Sequence, residues 1–562
     1  MRAKQEKIKK TKKANGLRKI VIMVLFLVAV GFALTIAPNY EKDALQGKTK
    51  VIINNSDVTK SLKLEPWVNE NGIVYLSTKD IANFFDKNIF YDNQYQQIIT
   101  SSDTKLASIA IGKKEMYVNS SKVNIYGEAL KKDGEFYLPF SEMQKVYNVE
   151  VQYIEESKTI VIDSLDRKQE MATITKDTNI KYLPTTFAKT VDKVEKGNSV
   201  IAIEKQENGW MKVRTANGRI GYTKEVTNVR TLRQEMEEQK QIEGKVSLVW
   251  DYYSEYVSAP SRNGKIEGVN VVSPSFAVLK KLGKGQLETN IGDKGKAYIE
   301  WAHAQGYKVW PMISNNSMKE TTSEILKDYQ LREKLINEIV NLTINYDIDG
   351  INIDFENIYQ ADKNMFSQFI IELAPRLREY GKVLSVDVTA PDGSEDWSLC
   401  YDRNLIGQVA DYIVFMAYDQ NGATSPKEGT TAGANWVEAN IKKFVGTQEE
   451  VAPEKLILGM PFYTRLWKEA NGQITSKVVS MKNIESTLPQ NVEKKWDEAL
   501  KQYYVEYSQG GATYKMWIED EASIQAKFDL VKQYQLAGAA YWTKDRESES
   551  IWPVIAQALQ IN

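Results

Sequence analysis

Eight short apolar runs, separated by helix-like stretches, occupy the C-terminal half of the chain. They lie at residues 246–250, 268–272, 307–312, 350–354, 383–388, 412–418, 456–461 and 537–542. Strands that alternate with helices build a parallel sheet, because a parallel connection must cross back over the sheet, usually through a helix. Eight such units within roughly 300 residues fit a closed (β/α)8 barrel. Helical patterns at 293–305, 322–346, 363–380 and 521–535 supply crossovers. The fold class expected is therefore α/β, with a barrel over residues 245–562. In such a barrel the reactive groups lie at the C-terminal ends of the strands.

The fourth run carries the chemistry. Period two places Asn352, Asp354 and Glu356 on one face and Ile351, Ile353 and Phe355 on the other. Like charges this close resist joint ionisation, so a core gains nothing from them. A site that needs one protonated and one ionised carboxyl does. The plain alternative is a solvated edge strand with its acids in water. Met416, Tyr418 and Asp419 end the sixth run and Trp542 the eighth. Barrel closure would bring them to the same mouth.

Residues 349–356 resemble the Asp-x-x-Asp-x-Asp-x-Glu signature of family 18 glycoside hydrolases, the chitinase-like enzymes. Asp349, Asp354 and Glu356 match, and Asn352 stands where the second Asp is usual. Met416-Ala-Tyr-Asp419 and Tyr541-Trp542 extend the resemblance over the whole barrel. It implies substrate-assisted hydrolysis, in which an N-acetyl group of the substrate is the nucleophile. Glu356 would be the general acid and then base. Asp354 would stabilise the cationic intermediate and, by its charge, raise the pKa of Glu356. Tyr418 would donate to the acetamido oxygen and Trp542 would floor the sugar site. Asp419 would orient the site and Met416 pack beneath it. Asn352 would hydrogen-bond to Asp354 without taking up a proton, leaving Asp354 more permanently ionised and the pH profile altered. Residues 467–520 match the place of an α+β insertion that walls the cleft. Trp517 and Glu519 in it either reach substrate or serve structure. No cofactor or metal is implied.

Composition narrows the alternatives. With 73 basic and 74 acidic side chains the net charge is −1, giving no basis for nucleic-acid binding. The single cysteine, Cys400, excludes an intramolecular disulfide framework, and the single histidine, His303, makes zinc-histidine or Ser-His-Asp chemistry improbable. His303 reads as packing or surface. Thirty tyrosines and twelve tryptophans suit sugar stacking but serve cores equally.

Ahead of the barrel, residues 1–19 form a basic tail and residues 20–37 an uncharged apolar run, near the length that spans a bilayer. The basic flank orients the rest of the chain outward. The expectation is a single-pass membrane anchor with the barrel outside the cytoplasm, or a secreted protein if the run is a cleaved signal. Residues 48–165 hold a weak repeat, with copies beginning at Gly72 and Gly134, each a strand-like run, a short helix (78–85 and 140–147) and paired strands. They resemble the copper amine oxidase N-terminal domain, without copper chemistry, since no histidine is present. Residues 172–228 read as short strands with turns and resemble a bacterial SH3-like domain, with Trp210 and Tyr222 serving either its core or a ligand. Residues 230–243 read as a helical linker.

The expected function is a glycosidase acting on β-1,4 bonds of N-acetylglucosamine polymers. The company of envelope-type modules favours peptidoglycan, an argument from association. A chitinase, an endo-acting hydrolase of N-linked glycans, an inactive chitinase-like carbohydrate-binding protein and a wall scaffold are the alternatives. The expected partners are the polysaccharide and, through the N-terminal helix, the membrane. A monomer is expected.

Overall fold

The strands formed by the eight runs are buried on both faces, so each must be covered on two sides. The computed structural model, which describes residues 21–28, 30, 48–235, 242–254 and 257–561, meets that demand with a barrel. The strands are Val246–Asp251, Val271–Pro274, a third in two pieces (Lys308–Val309 and Met312–Ser314), Gly350–Asp354, Val383–Val388, Tyr412–Met416, Leu456–Pro461 and Gly538–Trp542. All neighbours pair in parallel, and the eighth pairs with the first at Val246 to Gly538 through Val249 to Tyr541, closing the sheet. The third strand breaks at Trp310-Pro311, where proline has no N–H to give the ladder. Inward side chains such as Leu248, Trp250, Met312, Val414 and Ala540 fill the barrel, while outward ones such as Ile351, Ile353 and Phe355 pack under the helices.

The helices follow the expected pattern with one difference. Residues 322–346 form two helices, Lys319–Lys327 and Tyr329–Asn345, because Asp328 adopts extended backbone and its side chain caps Leu331 N–H. Between strands seven and eight, Tyr463–Ala470, Gln473–Ser480, Lys495–Asp497, Gln502–Gln509 and Ala512–Trp517 form a five-stranded antiparallel sheet. Its short helix, Ile484–Thr487, completes an α+β insertion.

The chain divides into two units, one of residues 1–89, 109–117 and 121–238, the other of 90–108, 118–120 and 239–562. In the first, Val74–Ser77 of one repeat copy pairs antiparallel with Glu135–Pro139 of the other. Strands between Gln169 and Arg233 form a seven-stranded antiparallel sheet around Ala172, Ile180, Val200 and Val213. Trp210 is buried there, with Lys224 Nζ 5.5 Å from its ring centroid. The linker expected to be helical from 230 instead begins as strand Val226–Arg233, paired with Gln169–Ile174, since period-two side chains satisfy a sheet edge. Its continuation at 236–241 lies outside the described residues. In the second unit the hairpin Phe90–Asp92 and Gln97–Ser101 packs on the barrel: Tyr95 donates to Asp328, and Lys105 pairs with Glu379.

Most of the expected membrane anchor lies outside the described residues. Residues 21–28 and 30 are helical and exposed, and no helix among the described residues is long and apolar enough to cross a membrane.

One ion pair fixes the helix layer. Arg332 and Glu372, both fully buried, join Tyr329–Asn345 to Lys363–Arg378 through bonds of 3.1 and 2.9 Å, with Arg332 also donating to Leu326 O. Removing one partner strands the other charge in the interior. Glu372→Ala is expected to cost about 3–5 kcal/mol, read from denaturant unfolding. A loss below about 1 kcal/mol would mean that water reaches Arg332.

Candidate active site

Alternation on the fourth strand has the consequence read from the sequence. Ile351, Ile353 and Phe355 face the helices, while Asn352 and Asp354 face inward. Asp354 is 7% exposed, and Glu356, just past the strand end, is partly exposed to the cleft. Asp349 is separate from them. At the strand's other end it accepts from Lys308 Nζ and Val309 N–H and meets His303 Nε2 at 2.9 Å, a structural tie for the lone histidine.

The backbone of Glu356 is held from both sides. Its N–H donates to Asn315 Oδ1 at 3.0 Å, and Asn315 Nδ2 donates back to its carbonyl at 2.8 Å. Tyr401 Oη donates to the Phe355 carbonyl. Asn315 follows the third run, in a loop without periodicity, so no sequence signal points to it.

Asn352 does not bond to Asp354 as expected. Its Oδ1 accepts from Trp250 Nε1 at 2.8 Å, and its Nδ2 donates to Ser385 Oγ at 3.0 Å and Asp387 Oδ1 at 2.6 Å. With its amide committed to strands one and five, Asn352 is fully buried. Asp387, 2% exposed, is a third acid that the sequence reading missed. Its signal was present: Ser385 and Asp387 alternate within an apolar run just as Asn352 and Asp354 do.

Burial holds the carboxyl of Asp354 well above the ordinary range, and the charges of Glu356 and Asp387 and a hydrogen bond with Glu356 push it the same way. Asp354 is therefore biased toward its protonated form, against the expectation of permanent ionisation, because two acids face it. Glu356 is also raised, first by burial and then by the charge of Asp419. The hydrogen bond from Asp354 acts in the opposite direction, so Asp354 is not the cause assigned to it above. Asp387 is raised well above its ordinary value by burial, opposed by bonds from Asn352 and Trp250.

The aromatic residues complete the mouth. Trp542 meets Trp250 edge to face at 5.6 Å and lies nearly parallel to Tyr418 at 6.5 Å. The peptide after Trp542 is cis. Tyr418 is kept protonated by burial and by the charges of Asp387, Asp354 and Glu356, so its hydroxyl stays a donor. Gly459 permits this placement: a Cβ there would lie 2.8 Å from Phe415 O and 3.4 Å from Tyr418 Cε1. Asp419 is exposed, has φ 55°, and accepts from Tyr463 Oη at 2.7 Å. Met416 is buried below, 8% exposed. A cavity of about 210 Å³ runs from Asp354, Glu356 and Trp542 toward Tyr253, Phe276 and Asn290. Among the described residues no lysine or arginine lines it. Tyr253 Oη and Asn290 Oδ1 are buried without partners among the described residues. Glu519 points away: it is fully buried with Lys527, Gln502 and Ser523. Trp517 packs against Tyr504 at 5.0 Å. No metal-ligand cluster occurs among the described residues.

A (β/α)8 barrel with paired acids ending strand four, a tyrosine past strand six and a tryptophan ending strand eight defines a glycoside hydrolase of the chitinase-like class. Residues 249–547 match glycosyl hydrolases family 18, and the chain belongs to that family. Residues 52–162 match the copper amine oxidase N-terminal domain. The glycosylase YvbX of Bacillus subtilis is 27% identical over 298 residues, 51% of this chain and 83% of that protein. The cortical fragment-lytic enzyme of Bacillus anthracis is 24% identical over 255 residues, 44% of this chain and 58% of that protein, so the match spans a little over half of its length. In fold, the spore cortex-lytic enzyme SleL of Bacillus cereus aligns with a TM-score of 0.50 at 18% identity, covering 67% of this chain and 91% of that chain.

Raised carboxyl pKa values link the site to stability. Between the ordinary carboxylate range and the raised value, the folded protein binds more protons than the unfolded chain, so stability falls as pH rises through that window. Asp354→Asn removes one contributor. It is expected to raise the thermal unfolding temperature at pH 7 and to leave it nearly unchanged at about pH 3, where the unfolded Asp is also largely protonated. An equal effect at both pH values would mean that Asp354 carries no proton-linked strain.

Proposed function

We propose that the protein hydrolyses glycosidic bonds next to N-acetylglucosamine by a substrate-assisted, retaining route, with peptidoglycan as its polymer. The observation that carries this reading is the convergence of Asp354, Glu356, Tyr418 and Trp542 on one cleft, with Glu356 biased toward its protonated form. In this reading the acetamido oxygen attacks the anomeric carbon as Glu356 protonates the departing oxygen, and Glu356 then deprotonates the incoming water. The one proton of the hydrogen-bonded acid pair sits on Glu356 as this step begins, so Asp354 is ionised and faces the cationic ring formed from the acetamido group. Tyr418 Oη donates to the acetamido oxygen, and Trp542 supplies the apolar floor. Asp419 orients the site through Tyr463, and Met416 and Asn352 shape it from below.

Support for a peptidoglycan substrate comes from the cortex-lytic relatives and the module matched at 52–162. A cavity without cations suits a neutral amido sugar, with acid-bearing sugars placed outside it. A chitin-type polymer is the second reading, favoured by the same cation-free lining. Attachment to the membrane through residues 20–37 and an extracytoplasmic site belong to the proposal, as does an SH3-like role for residues 172–228.

The test is reducing-end release from purified peptidoglycan and chitin oligomers by the full chain. Release from peptidoglycan is expected, with Glu356→Gln lowering kcat by about 10²–10⁴-fold and Tyr418→Phe by about 10²–10³-fold. Release from chitin alone moves the substrate to the second reading. Binding without release from either by the unsubstituted protein would make it a carbohydrate-binding protein.

A further inference from the structure

Three carboxyls, Asp354, Glu356 and Asp387, meet at the barrel mouth, and only the first two are used by the chemistry above. Asp387 lies on the fifth strand, one strand over from Asp354, with its side chain inward and 2% exposed. The groups facing it are Trp250 from strand one, Asn352 from strand four, Glu356 beyond strand four and Tyr418 beyond strand six. Asp354 feels its charge as well. Not one of these is a cation. Elsewhere in the barrel unit buried acids are paired with cations: Glu372 with Arg332, Glu519 with Lys527, and Asp251 with Arg262. A buried carboxyl without a counter-charge is costly, and an amide at 387 could serve the Asn352 contact at lower cost. The acid at this place therefore acts on the groups around it.

We propose that Asp387 is a positioning residue of the catalytic acids, a buried carboxyl on strand five that shares the site's negative charge with Asp354 and Glu356, so that a proton is kept on the Asp354–Glu356 pair. Two features of the geometry support this role. The 2.6 Å bond from Asn352, the bond from Trp250 and the Asn352–Ser385 bond fix the carboxyl in place. The share of charge it carries faces both Asp354 and the donor Tyr418, the two groups that act on the acetamido group in the reading above. A like charge beside a carboxyl favours its protonated form. The pair thus retains to higher pH the proton that Glu356 delivers to the leaving oxygen. The inference rests on the proposed hydrolysis and adds a third acid to it.

The sign of the effect is fixed. Removing the charge at 387 lowers the proton affinity of the pair, so the alkaline limb of the kcat/KM–pH profile moves to lower pH. Asp387→Asn retains an acceptor for Asn352 Nδ2 while removing the charge. It is expected to move that limb acidward by about one pH unit and to lower kcat at pH 7. The exchange N352D/D387N keeps the acid–amide pair but moves the charge to strand four, and is expected to return the limb toward its original position. A purely structural Asp387 would leave the profile of D387N unmoved, and that result overturns the proposal, as does an exchange variant that folds but keeps the shifted limb. Carboxyl NMR of the unsubstituted full chain, labelled with ¹³C at aspartate side chains, reads the same point without substitution. Asp354 and Asp387 titrating in shared steps support the coupling, and independent single-step curves refute it. Absence of hydrolysis by the unsubstituted protein fails the functional reading instead, and the carboxyl titration still decides whether Asp387 governs the proton.

Discussion

Closure of the sheet between its eighth and first strands is the constraint on which the site depends. At that seam Gly538 lies against the backbone of Val246, where the position of a Cβ would be 1.9 Å from the Val246 carbonyl oxygen. Only glycine fits such an approach. The register that follows sets Tyr541 against Val249 and brings Trp542 over Trp250. Phe462 N–H donates to the Trp542 carbonyl, and Lys544 N–H and Thr543 Oγ1 donate to that of Trp250. Trp250 in turn reaches across the interior to Asn352. Residues from the two ends of the domain thus become one hydrogen-bonded set because the ladder closes.

Inside that closed ladder, the electrostatics differ from those of the surrounding layers. Between the helices, and in the insertion, acids are neutralised by cations at hydrogen-bonding distance. Around Asp387 the donors are an indole and an amide. Neutral donors satisfy oxygen atoms without supplying the opposite charge that would lower a carboxyl pKa. Burial therefore remains the largest influence on all three acids. The same exclusion of water that costs stability at neutral pH keeps a transferable proton in the cleft. Any cation placed there for stability would drain the site of its acid.

The barrel was legible because its strands carry the signals that survive in a single sequence: apolar runs, period two within them, and helix-length spacers. The orientation of Asn352, Asp354 and Glu356 followed from alternation alone, and the closeness of Tyr418 and Trp542 followed from strand order. What the sequence did not disclose were the pairwise choices. Asn352 had two chemically sensible partners, Asp354 along its own strand and Asp387 on the next, and inter-strand geometry selected the second. Asp387 passed unnoticed because a single acid in a run of valine and leucine looks like an interruption until its neighbour strand is known. The break at Asp328 is local, yet its capping role depends on where the next helix begins. At 230–233 a polar stretch reads as helix because edge strands carry polar faces too, and only pairing with Gln169–Ile174 decides between them.

The way Glu356 is held follows from the two tasks asked of it. A group that first donates a proton and then removes one from water must keep the same position through both steps, while its proton affinity must respond to what occupies the cleft. The structure separates these demands. Position is set at the backbone, by the reciprocal bonds with Asn315 and by Tyr401 on the preceding carbonyl. Proton affinity is set at the side chain, by burial, Asp354 and Asp419. A side-chain clamp on Glu356 itself, such as a lysine, would fix its position equally well but would hold it ionised. Support through the backbone leaves the carboxyl both placed and protonatable, and the partners that provide it, Asn315 and Tyr401, are buried groups that hold the acid from behind.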